Sequence, residues 1–129
     1  MTASPMKRVD SIARKTLRMI LEASRDTHPR EFGAILRADE GTITELLLLP
    51  GTVSGKRHAI FQLHMLPPDF AVVGTVHSHP SGVYEPSDED RALFNKFGGI
   101  HLIIGFPYAE DTWAAWTNKG ERTTLKVVP

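Results

Sequence analysis

"GTVHSHPSGVYEPSDED" runs from Gly74 to Asp90, and the architecture turns on how it is read. With the residues before it, "FAVVGTVHSH" is apolar on both alternating faces, the pattern of a central strand covered on both sides. Side chains alternate along a strand, so His77 and His79 share a face, roughly 6.5–7 Å apart at the backbone. Ser78 points the other way, which makes it a poor nucleophile for that pair. Pro80 favours an extended His79 and then ends the ladder. From Ser87 to Phe97 the spacing predicts a helix closed by Gly98-Gly99. Leu93, Phe94 and Phe97 mark its buried stripe, and one step back at the same spacing is Asp90. An inward-facing carboxylate needs a cation or hydrogen-bond donors to offset its desolvation. Two imidazoles at this separation can converge on one ion with bonds of about 2.0–2.1 Å. A capping box explains part of the same stretch: Ser87 fits an N-cap, and Asp88 and Glu89 complement the helix dipole. Capping leaves the paired histidines and the register of Asp90 without a reason.

Outward from this stretch, Ile12 to about Thr27 has helical spacing. Ala13, Leu17, Ile20, Leu21 and Ser24 lie on one face, with Arg14, Arg18, Glu22 and Arg25 opposite. Asp10 or Ser11 is the expected N-cap, His28-Pro29 closes the helix, and a short strand near Arg8–Ser11 precedes it. Glu31–Arg37 and Thr42–Leu49 read as a hairpin about "ADEG". "HAIFQL" at His58–Leu63, "IHLIIGF", "TWAAWTN" and "TTLKVV" read as further strands. Trp113 and Trp116 sit three apart on a strand, on opposite faces, and fill core. The fold expected is α/β, a mixed sheet with helices on its faces, in one domain over residues 1–129.

Composition excludes several functions. Lys plus Arg equals Asp plus Glu at 15 each, so no net field draws the chain to nucleic acid or membrane. The basic excess before Arg30 reads as a solvated helix face. Cysteine is absent, which removes disulfides, thiolate zinc sites and a cysteine nucleophile. "ELLLLPG" is too short to span a bilayer, and the start lacks the order of a secretory signal, so a cytoplasmic protein is expected. Ser81 in "HPSG" lacks a nucleophile elbow. His28, His58, His64 and His101 have no ligand-like spacing and read as surface or packing residues.

The set His77-Ser-His79-Pro, then Ser87-x-x-Asp90 after the seven residues Pro80–Pro86, resembles the signature of the JAMM (MPN+) metalloprotease family. The resemblance covers most of the chain, with "HPREFGAIL", "GTVHSHPS", "PSDEDRALF" and "IIGFPYAEDTWAAW" in the family's order. It implies a single MPN domain, similar to cytidine deaminase in fold, with a curved mixed sheet flanked by two main helices. It also implies one Zn²⁺ per chain held by His77, His79 and Asp90. By the same resemblance Glu31 is the general base toward the zinc-activated water, and Ser87 helps stabilise the oxyanion. Alone, Glu31 reads as a solvated residue at a strand start. The implied reaction is hydrolysis of an isopeptide or peptide bond after the C-terminal tail of a ubiquitin-like modifier or sulfur-carrier protein. The segment Ser54–Asp69 is short for a substrate-gripping insertion, which leaves linkage selectivity open. Phe61, Met65 and Leu66 are candidate apolar contacts or core, and Val83 and Tyr84 either gate the cleft or pack on it. Two alternatives remain: a non-catalytic MPN scaffold, and a small-molecule zinc amidohydrolase or deaminase. Oligomeric state is not readable from the sequence.

Overall fold

The structure is a computed structural model that describes residues 8–48 and 71–129. The expected strand at His58–Leu63, the start of the central strand at Phe70, and Phe61, Met65 and Leu66 lie outside these residues. In chain order the elements are β1 Ser11–Ala13, α1 Arg14–Thr27, β2 Gly33–Asp39, β3 Thr42–Leu47, β4 Val72–His79, α2 Asp88–Phe97, β5 Ile100–Gly105, β6 Trp113–Thr117, β7 Arg122–Thr123 and β8 Lys126–Val128. Among the described residues they form one eight-stranded sheet, ordered β7-β6-β5-β4-β2-β3-β1-β8. β4 is central, antiparallel to β2 and parallel to β5.

The sheet cannot be flat. Eight strands about 4.8 Å apart would set its edges about 34 Å from each other. Yet β7 holds one edge and β8 the other, and Thr123 to Lys126 is a reach of at most about 11 Å. The sheet therefore curls until its edges nearly meet, as expected of an MPN domain. This also corrects the reading of "TTLKVV" as one strand. Leu125 is buried in the core between β7 and β8, and the chain crosses from edge to edge around it.

The start of α1 is a second correction. The helix begins at Arg14, the N-cap is Ala13, and no side chain caps it. The strand before it is Ser11–Ala13 rather than Arg8–Ser11. Ser11 does not cap because it lies in β1, two residues before the N-cap, with its hydroxyl 2.8 Å from Thr42 Oγ1 in the neighbouring strand.

Both sheet faces carry apolar side chains. Along β5, Ile100, Leu102 and Ile104 enter one core with Leu17, Ile20, Leu21 and Val76, whereas Ile103 joins a second with Leu93, Phe94, Ala114 and Trp116. α1 covers the first and α2 supplies the second. Trp113 packs against the first core and Trp116 lies in the second. Gly74 has no alternative in this packing, since a Cβ there would sit 1.5 Å from the Ile100 carbonyl oxygen.

Candidate metal centre

His77 and His79 end β4 on the face that α2 covers. Residues paired across strands share a face, and His77 is opposite Ile103 of the second core. On the other side Gly33 of β2 is opposite His77. Behind His77 stands Phe94, with ring centres 6.4 Å apart. Phe94 is itself stacked 4.2 Å from the buried ring of His101.

Asp90 enters from the first turn of α2 and is fully buried. Its Oδ1 is 3.0 Å from His77 Nε2, and its Oδ2 is 3.1 Å from His79 Nε2. The two Nε2 atoms are 3.1 Å apart. Asp90 also completes a capping box: Ser87 Oγ accepts from Asp90 N at 3.1 Å, and Ser87 N donates to Asp90 Oδ2 at 2.9 Å. The competing readings of this stretch are thus both satisfied by one carboxylate, which fastens the helix end and faces the histidines. Asp88 and Glu89 are exposed in the same turn.

Electrostatics follow from this geometry. Burial acts to raise the Asp90 pKa, but the contacts from His77 and His79, and the Ser87 N–H, hold it far below the usual carboxylate range. For His79, burial acts downward. It is outweighed by Asp90, the Val83 carbonyl and the charge of Glu31, so the ring stays protonated to higher pH than usual. His79 Nδ1 donates to Val83 O at 2.6 Å, which leaves Nε2 to face Asp90. His77 Nδ1 is buried with no hydrogen-bond partner among the described residues, so its tautomer is set from the Nε2 side.

These donors suit a metal. With bonds of about 2.0–2.1 Å, the ligand atoms of a tetrahedral zinc are about 3.3–3.4 Å apart. The observed 3.0–3.1 Å separations approach that edge length, and His77, His79 and Asp90 are brought together as a three-donor cluster. Two neutral imidazoles and a carboxylate aimed at each other need a shared cation or extra protons. Glu31, which the sequence alone made an ordinary strand-start residue, precedes β2 with a buried Oε1, and its charge acts on His79. Ser87, the N-cap of α2, is exposed. Sequence reasoning missed the Val83 carbonyl as the group that orients His79. Main-chain partners of this kind leave no trace in residue type.

A family model of prokaryotic homologues of the JAB domain matches residues 13–119. The chain belongs to this family. A probable metalloprotease from Haloferax volcanii is 40% identical to this JAB-domain chain, over 95% of the chain and 81% of the relative. A JAB1/MPN domain protein from Archaeoglobus fulgidus shares its fold at a TM-score of 0.76 and 40% identity, covering 92% of this chain and 99% of that one. A second solved structure, described as JAMM, a metalloprotease-like zinc site in the proteasome and signalosome, gives 0.75 and 38%, covering 94% and 99%. The family and these relatives make the chain a hydrolase of the JAMM metalloprotease type.

Proposed function

We propose that this JAB-domain protein is a zinc-dependent isopeptidase or peptidase. It cleaves after the C-terminal tail of a ubiquitin-like modifier or sulfur-carrier protein, in the cytoplasm and as a single domain. The observation that carries the proposal is the convergence of His77 Nε2, His79 Nε2 and Asp90 within 3.0–3.1 Å, with the charge of Glu31 acting on His79. Zinc held by those three side chains would supply Lewis acidity for amide hydrolysis. Glu31 accepts the proton of the attacking water and passes it to the departing amine nitrogen. The Ser87 oxygen accepts from Asp90 N, which leaves its proton to donate to the oxygen on which charge develops. The fixed orientation of His79 through Val83 keeps the donor set in place through turnover.

Among the described residues no helix is long and apolar enough to cross a membrane. The test is incubation of the purified protein with ubiquitin-like conjugates of its own host, with and without chelator. Chelator-sensitive release of intact modifier is expected. Stoichiometric zinc with no cleavage of any tail substrate would favour a scaffold, and hydrolysis of small amides alone would favour an amidohydrolase.

A further inference from the structure

Ser78 stands between the two histidines, buried, on the opposite face of β4. Its backbone N–H donates to Phe32 O at 2.9 Å. Its side chain completes the pair, since Phe32 N donates to Ser78 Oγ at 2.8 Å. In a regular antiparallel ladder both bonds of such a pair run between main chains. Here the second ends on a hydroxyl, at the point where the chain enters β2. Phe32 belongs to the first core with Ala34 and Leu36, so alternation turns Glu31 toward the side of His77. The pairing of Gly33 with His77 keeps the same register.

We infer that Ser78 is a positioning residue for Glu31: its hydroxyl holds the Phe32 amide and so sets the neighbouring carboxylate against the strand that bears His77 and His79. The inference rests on the metalloprotease reading for what Glu31 does. Removing the hydroxyl takes from the buried Phe32 N–H the acceptor it uses, a more costly state than an ordinary lost hydrogen bond. The backbone beside Glu31 then shifts to find an acceptor, and a misplacement of about 1 Å at a reacting group can cost on the order of 10²-fold in rate.

The experiment uses the full zinc-loaded chain, with Ser78→Ala and Ser78→Thr made in the wild type and in Glu31→Gln, and a ubiquitin-like conjugate as substrate. S78A lowers kcat by roughly 10–100-fold, with KM within about twofold and zinc content unaltered, and S78T restores most of the loss. On the E31Q background S78A lowers the residual kcat by less than about twofold, because the group it positions is already gone. Equal losses on both backgrounds, an unchanged kcat in S78A, or a loss of zinc matching the loss of activity would overturn the inference. A second readout is amide exchange at Phe32, which accelerates by at least about tenfold in S78A and recovers in S78T. Unchanged exchange overturns the inference even where the wild type cleaves no conjugate, a result that by itself sinks only the proposed activity. Should S78A not fold, Ser78→Cys, with its weak acceptor, carries the same expectations.

Discussion

Asp90 shows how much one side chain can be asked to do. It fastens the first turn of α2 through Ser87 N and faces both Nε2 atoms. Asp90→Asn keeps the size but loses the charge, so zinc retained after dialysis, measured by elemental analysis, should fall well below one per chain. Glu31→Gln is the opposite case. Zinc should stay and turnover should drop by about 10²–10⁴-fold, and undiminished cleavage would remove Glu31 from proton transfer. Ser87→Ala discriminates between two roles for one hydroxyl. Loss of the cap alone costs about 1 kcal/mol of stability. Loss of an oxyanion donor lowers kcat by about 10²–10³-fold. Kinetics and thermal unfolding on the same sample separate them, and a shift in Tm with unchanged kcat would leave Ser87 a cap.

At the scale of elements, β4 and α2 were legible because each has a clear period, two along the strand and 3.6 along the helix. The period put His77 and His79 on one face and Asp90 inward. It could not show what backs them. By spacing His101 reads as a surface or packing residue, and it is buried, with Thr75 Oγ1 at 2.7 Å from Nδ1 and Nε2 donating to Gly98 O at 2.6 Å. Burial, with the nearby His77 adding to it, pushes its pKa down to about 4 despite the Gly98 carbonyl. The unfolded chain therefore binds this proton first, and stability falls as pH drops from about 6.5 toward 4, by about 3 kcal/mol in all. The neighbouring shifts act differently, and comparison with His101→Gln separates them. His79 is raised, so its contribution is complete below 6.5 and is lost as pH rises through its folded value. Asp90 is lowered, so its contribution is lost only as pH falls below 3.8. Denaturant unfolding of the chelated protein at pH 7 and 4.5 should show this loss, and His101→Gln should flatten it. Equal slopes in both proteins would remove His101 as the cause.

At the scale of the molecule, the curl of the sheet escaped a reading by local pattern, because it depends on which edge each terminal strand joins. Nothing in "TTLKVV" states that Thr123 pairs beside β6 while Lys126 pairs beside β1. The family signature supplied a curved sheet, and Leu125 is the residue on which the crossing turns, 8% exposed between the two edges. The centre is built elsewhere, from β4, α2 and the entry to β2, near the middle of the strand order rather than at its rims. Closure and metal binding should therefore separate. Leu125→Ala removes core volume where the edges meet and should cost about 2–5 kcal/mol, seen as a clear drop in Tm. At a temperature where the variant is still folded, its zinc stoichiometry and kcat should match the wild type, because β8 contributes no side chain to the three-donor cluster. If zinc is lost in step with stability instead, the curl is part of what holds His77, His79 and Asp90 together, and the site is a property of the whole sheet rather than of its central strands.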